Sequence, residues 1–139
     1  NDYETVKTLL TILTPQIEPF AVNSFSQLLL SLNSNHRIIC CLYYDIEAEI
    51  EIMVGIGTIL IEQKLIHNCG RVAHIEDVVV DENYRKMNIG KGIIHELINV
   101  AKDKCVYKAI LNCSDDKIGF YEKCGFYKSN AEMRMNINT

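Results

Sequence analysis

The apolar positions of the chain change period several times, and each change marks an element. Over residues 3–13, Val6, Leu9, Leu10 and Leu13 recur at i, i+3, i+4 and i+7, the signature of an amphipathic helix. Thr14-Pro15 closes it, because a residue before proline is pushed out of the helical region. Residues 20–32 repeat the period with Phe25, Leu28, Leu29 and Leu32, and Asn23 or Ser24 is the expected N-cap. After a polar loop at 33–35, the run 37–45 is apolar and aromatic and predicts a strand; 45–49 is an acidic turn. Residues 50–61 predict a longer strand, so the two form an antiparallel hairpin. Gly55 and Gly57 inside that strand mark a bulge or a close approach by another chain or a ligand. A polar loop at 62–71 follows, carrying Lys64, His67 and Arg71. Residues 75–80 are rich in valine and predict a strand covered on both faces. From Ile89 the period lengthens again: Ile89, Ile93, Leu97 and Ala101, widened by Ile94 and Ile98, predict a helix. A strand at 106–113, a turn at 114–117, a short helix at 118–124 capped by Gly125, and closing strands at 126–128 and 133–137 complete the order. Helices on a mixed sheet, an α/β arrangement, is the fold class this order predicts.

Composition changes the picture little. The chain has 139 residues, is 48% hydrophobic and 23% charged, and so is expected to form one globular domain over residues 1–139. Its net charge of -4 argues against a nucleic-acid partner, although a local basic cluster can still hold a small anion. No apolar run is long enough to predict a membrane span. Six cysteines without a Cys-x-x-Cys pair are expected to be reduced thiols in a cytoplasmic protein. The four histidines form no metal-binding motif, and no metal is expected. The chain lacks an initiator Met and is expected to start inside a longer one.

Candidate chemistry concentrates between His74 and Tyr121. Arg85, Lys86, Met87, Asn88, Ile89, Gly90 and Lys91 join the Val-rich strand to the helix. A helix N-terminus has unpaired N–H groups and a positive dipole end, so this basic turn is either an anion nest or an ordinary turn with solvated charges. Glu76 and Asp77 are adjacent carboxylates in an apolar strand; if buried, each needs a partner. Tyr121 precedes Gly125 at helical spacing and reads either as a core aromatic or as a placed phenol.

The segment Arg85-Lys86-Met87-Asn88-Ile89-Gly90 resembles the Gln/Arg-x-x-Gly-x-Gly/Ala motif of the GNAT superfamily of N-acetyltransferases, with Asn88 where glycine is usual. Asparagine tolerates left-handed backbone, so the turn remains feasible. More widely, His74-Ile75-Glu76-Asp77-Val78-Val79-Val80, Tyr107-Lys108-Ala109-Ile110-Leu111-Asn112-Cys113 and Phe120-Tyr121-Glu122-Lys123-Cys124-Gly125-Phe126 resemble the eukaryotic glucosamine-6-phosphate N-acetyltransferases. Glu62-Gln63-Lys64-Leu65-Ile66-His67 resembles their loop before the catalytic strand. The resemblance runs from Val6 to the end and omits the first strand of that fold, as a truncated start would.

The resemblance implies a GNAT fold, with a mostly antiparallel mixed sheet and splayed strands that receive acetyl-CoA. It implies acetyl transfer to the amine of glucosamine 6-phosphate by direct attack in a ternary complex, in a homodimer with a shared site. Residues 85–91 would hold the pyrophosphate, and Val78, Val79 and Val80 the pantothenate arm, with a bulge aiming a backbone N–H at the thioester oxygen. Glu76 and Asp77 would bind the sugar, with Glu76 a base when partly buried, and Tyr121 would donate to the departing thiolate. Lys64, His67, Tyr107 and Lys108 would serve the phosphate, the last two from the other subunit, and Thr14 would touch the sugar. Asn112 replaces the family's usual Asp, Lys117 stands where an Asn contacting CoA is common, and Asn136 takes the place of a basic residue. Other readings are a GNAT enzyme for a different small amine or a protein N-terminus, and a non-catalytic acyl-CoA-binding module.

Overall fold

The computed structural model describes residues 2–15 and 20–137. Two helices come first, α1 (Asp2–Leu13) and α2 (Val22–Ser31). The hairpin β1 (His36–Asp45) and β2 (Ile50–Gln63) follows, then a four-residue helical segment α3 (Ile66–Cys69) and β3 (Arg71–Val80). The helix α4 (Ile89–Asp103), a short β4 (Lys108–Ile110) and α5 (Ile118–Lys123) complete the order. The sheet runs β1-β2-β3-β4, antiparallel through β3 and parallel between β3 and β4. This is the mixed, mostly antiparallel sheet flanked by helices that the sequence implies.

The core lies between the sheet and α4. Ile93, Ile94, Leu97 and Ala101 of α4 pack on Ile59 and Ile61 of β2 and on Ala73 and Ile75 of β3, all of them buried. The stripe of α4 is therefore the cause of both helix and burial: its period matches the turn, and the sheet supplies the apolar partner. The two glycines of β2 admit this helix. A Cβ on Gly57 would lie 2.7 Å from Ile93 Cγ2, and one on Gly55 would lie 2.8 Å from Ile93 Cδ1. The close approach at these glycines is thus made by α4, in place of the other chain or ligand expected, and the expected bulge falls at Gly57. A smaller cluster on the opposite face joins Leu9 of α1 to Ile56 and Val79.

Several expectations are corrected. The N-cap of α2 is Ala21, without a side-chain bond, in place of Asn23 or Ser24. The apolar stripe of α2 is not buried: Leu28 and Leu29 remain nearly half exposed and border an apolar groove of about 470 Å³ between α1, α2 and the sheet. The strand expected at 106–113 shortens to Lys108–Ile110, because the chain leaves β3 after residue 110 and loses its ladder partner. Residues 126–137 hold no strand, although Met133, Met135 and Ile137 alternate; each is more than three-quarters exposed, and no described strand pairs with them. Period 2 marks a potential strand, and a ladder partner is what makes one. Conversely, β3 begins at Arg71, and β2 runs on through Glu62 and Gln63, so the expected loop is reduced to 64–70. Gly125 has φ 93°, the left-handed cap expected after α5.

Candidate active site

The site is built where β3 breaks its own regularity. Ile56 faces Val79 and Thr58 faces Glu76, so Gly57 alone opposes both Asp77 and Val78. Asp77 carries the bulge with φ 52°. One extra residue shifts the alternation of faces. Before the bulge, Ala73 and Ile75 point at α4; after it, Val78 and Val80 do so, and Val79 turns toward α1. The bulge expected at this point is present, three residues beyond the end of the pairing of β3 with β4.

That pairing stops at His74 opposite Ile110, while β3 continues to Val80. A wedge opens beyond it, so the two strands splay. It contains a cavity of about 50 Å³ lined by His74, Glu76, Ile110, Leu111 and Asn112. Backbone groups on this side of the second half of β3 have no described strand beside them. They are available to an extended ligand in the manner of an added strand. The larger groove beside α2 touches this region only through Asp77 and Thr58, and its lining is otherwise almost wholly apolar.

At the far end of β3, the turn to α4 winds left-handed at Lys86 (φ 68°) and Asn88 (φ 60°, ψ 14°). Asparagine where glycine is usual does adopt the left-handed conformation. Asn88 is the N-cap of α4 but makes no side-chain cap bond, so the first-turn N–H groups stay open toward solvent. Arg85 pairs with Glu82 at 3.4 Å, whereas Lys86 and Lys91 have no ion-pair partner among the described residues. Met87 is exposed. A Cβ on Gly90 would lie 3.2 Å from Phe120 Cζ and 3.7 Å from Val80 Cγ2. Gly90 therefore lets the α5 ring pack on the start of α4, a role not visible from the motif.

Tyr121 is half-buried beside the wedge. Its ring lies edge-on to Phe120 and Phe126, with centroids at 5.0 and 6.0 Å. Burial pushes the phenol pKa up, and Cys113, Cys124 and Glu76 add to the rise. The phenol thus keeps its proton and is able to donate a hydrogen bond. Glu76 and Asp77 are exposed. The condition under which each would need a partner, burial, is not met. Bulge and splay turn both carboxylates out to water, so no desolvation penalty requires a partner, and among the described residues neither has an ion pair.

The expected phosphate residues split into two groups. His67, at a left-handed position, stacks on Tyr107 with centroids 4.2 Å apart, and Lys108 Nζ lies 5.7 Å from the Tyr107 ring centre. Lys64 is not a free cation. Its Nζ lies 2.7 Å from Glu62 Oε1, and Glu62 Oε2 lies 2.7 Å from His74 Nε2. Lys64 and His74 hold the Glu62 carboxyl below its ordinary range, and Glu62 in turn raises Lys64. Lys108 faces Val72 across the ladder, four residues before Glu76 and so roughly 13 Å along β3 at about 3.3 Å per residue. Lys117 pairs with Asp116 at 3.2 Å. Thr14 closes α1 through an N–H bond to Leu10 at 2.8 Å, and no described contact joins it to the wedge.

Sequence reasoning passed over Glu62 and His74. The signal was available: His74 and Glu76 share one face by strand alternation, and Glu62 lies diagonally across from His74, since Leu60 is the residue directly opposite.

The acetyltransferase (GNAT) family model matches residues 7–126, and the chain belongs to this family, whose members use acetyl-CoA as co-substrate. Within the family, its similarity is to the glucosamine 6-phosphate N-acetyltransferases. It is 42% identical over 81 residues to that enzyme from Oryza sativa, covering 58% of this chain and 49% of the relative. It is 43% identical over 82 residues to that of Candida albicans, covering 59% of this chain and 55% of the relative. The crystal structure of the Arabidopsis thaliana enzyme superposes with a TM-score of 0.81 at 30% identity, covering 94% of this chain and 88% of that one. The chain spans about half the length of the first two of these relatives.

Proposed function

We propose that the chain is one acetyltransferase domain that moves an acetyl group from acetyl-CoA to the amine of glucosamine 6-phosphate, giving N-acetylglucosamine 6-phosphate and CoA. The observation that carries the reading is the wedge. A bulged strand parts from its neighbour beside a protonated phenol, with an open helix N-terminus at the end of the same strand. The similarity to three enzymes of that name supports the choice of acceptor.

The residues divide the work. The amides of residues 86–91 and the free Lys86 and Lys91 suit a pyrophosphate. The backbone of Val78, Val79 and Val80 pairs with the pantothenate arm, and the N–H of Val78 or Val79 polarises the thioester oxygen. Glu76 and Asp77 hold the sugar amine and hydroxyls. Tyr121 donates to the sulfur as the C–S bond breaks. Its raised pKa makes full proton transfer to a thiolate uphill, so hydrogen bonding is its contribution. Asn112, with no acidic group, acts through its backbone carbonyl or amide. Lys117, which stands where an Asn contacting CoA is common in the family, is tied to Asp116.

Tyr107 and Lys108 stand at a different level of the sheet from Glu76, which favours their serving the phosphate across a homodimer, and His67 packs against Tyr107. Heterodimers pairing a Lys108→Ala subunit with a Glu76→Ala subunit would then exceed the activity of either homodimer at low glucosamine 6-phosphate. The setting we infer is cytoplasmic UDP-GlcNAc synthesis; no helix among the described residues is long and apolar enough to cross a membrane. The test is thiol release from acetyl-CoA with glucosamine 6-phosphate and with glucosamine. A strong preference for the phosphosugar supports the reading. Equal rates overturn the phosphate assignment, and no release with either overturns the reaction.

A further inference from the structure

Acetyl transfer to an amine begins with a proton problem. An ammonium has no lone pair, so some group must take its first proton before the nitrogen can attack. Glu76 was the residue expected to do so when partly buried, and it is exposed. The wedge holds a different candidate. His74 lines the same cavity as Glu76 and Asn112, and its Nε2 is 2.7 Å from a carboxylate oxygen of Glu62. A carboxylate only accepts hydrogen bonds, so the imidazole donates from Nε2 and the neutral ring keeps its lone pair on Nδ1. Lys64 engages the other oxygen of Glu62 at 2.7 Å and keeps that carboxylate ionised. The result is a chain from Lys64 through Glu62 to an imidazole whose tautomer is set, on the lining of the wedge cavity. The same logic of an oriented imidazole recurs in unrelated enzymes as carboxylate–histidine pairs.

The two side chains are not there for packing. Leu60, opposite His74, is 42% exposed, and Ile110, its neighbour on β4, is 39% exposed, so the sheet is open around His74, although Val72, two residues earlier on the same face, is buried. The charged groups around His74 on that face are Glu62 and Lys64 from β2 and its end, Glu76 on β3 and Lys108 on β4.

We propose that His74 is the proton acceptor for the ammonium of the acceptor substrate, with Glu62 as its positioning residue. This rests on acetyl transfer at the β3–β4 wedge. The ammonium gives one proton to Nδ1 of His74. The freed amine lone pair forms the C–N bond to the thioester carbon. The C–S bond breaks, the thiolate accepts a hydrogen bond from Tyr121, and the second nitrogen proton passes to the sulfur. His74 then returns its proton to water, so the reaction releases one proton in all. Glu76 holds the ammonium by charge.

The experiment is steady-state kinetics over a range of pH with acetyl-CoA and glucosamine 6-phosphate, for the wild type, His74→Ala, His74→Gln and Glu62→Gln. His74→Gln should lower kcat about 100-fold at neutral pH and leave the KM for acetyl-CoA unchanged, since general-base groups contribute about 10²–10⁴-fold. The deficit should shrink as rising pH deprotonates the amine itself. Added imidazole should restore part of the His74→Ala rate. Glu62→Gln leaves the imidazole without the carboxylate that sets its tautomer, so kcat should fall while the KM for acetyl-CoA stays unchanged. A His74→Gln variant with kcat within twofold of wild type and an unmoved profile overturns the proposal. So does an unchanged kcat in Glu62→Gln, even if the His74 variants fail to fold. A wild type that acetylates some other amine overturns the substrate reading instead, and the same variants then test the dyad on that amine.

Discussion

The two faces of β3 are built from alternate residues of one strand, and they differ in almost everything else. Ala73 and Ile75 are buried against α4 and the apolar side of β2. His74 and Glu76, their immediate neighbours, look onto an open face that carries Glu62, Lys64 and Lys108. The first face can be filled because α4 supplies a complementary stripe. The second has no helix over it in this half of the sheet, since α1 covers the half around Ile56 and Val79. One face stabilises the strand, and the other is therefore free to carry charges that a packed interior would not tolerate. The bulge at Asp77 lets both demands be met in ten residues, because it resets which side chains face α4 beyond the wedge.

The comparison can be broken first on the buried face. Leu97 is fully buried, so Leu97→Ala should cost about 3 kcal/mol of stability, within the usual 2–5 for such a cavity. Urea unfolding reads this directly, and a loss below about 1 kcal/mol would mean that α4 does not anchor the sheet. On the side of the wedge, Tyr121→Phe should lower kcat about 30-fold, or about 2 kcal/mol, with acetyl-CoA affinity nearly unchanged. Because burial raises the Tyr121 phenol, its donor form persists at high pH. Any basic limb owed to it lies above the range of an ordinary tyrosine and disappears in the Phe variant. A wild-type kcat in Tyr121→Phe would remove the phenol from the chemistry.

A smaller effect is expected where the two regions meet. Gly90→Val places a Cβ 3.2 Å from the Phe120 ring and bulk over the start of α4. CoA affinity by calorimetry should fall about tenfold, about 1.4 kcal/mol, and an unaltered affinity would contradict an anion site at that helix start. The smallest effect concerns the open face. Lys108→Ala should raise the KM for glucosamine 6-phosphate about fivefold without changing that for glucosamine, as loss of one solvated cation near a phosphate would. Equal changes with both sugars would detach Lys108 from the phosphate.

Much of the buried half was legible in advance. The stripe of α4 and the hairpin of β1 and β2 follow from periodicity, because a period that matches a regular element also matches the face it buries. The closing strands at 133–137 were misread for the complementary reason. Met133, Met135 and Ile137 satisfy the local pattern, but a strand exists only where another strand completes its hydrogen bonds. The open half was legible mainly in its residue types. Glu76, Asp77, Asn112 and Tyr121 lie at or beside the wedge, whereas Thr14 has no described contact there, and Lys64 proved to be committed to Glu62.

By itself, the order of residues determined the elements, the faces they bury and the Asn88 turn that opens α4, since all of these depend on neighbours a few positions away. Tertiary structure alone decided that β3 and β4 part after His74 and Ile110, that Glu76 and Asp77 turn to water, and that Glu62 meets His74 from twelve residues away. Those outcomes depend on strand register and on which faces remain uncovered. Both are set by contacts between elements, which no local period encodes.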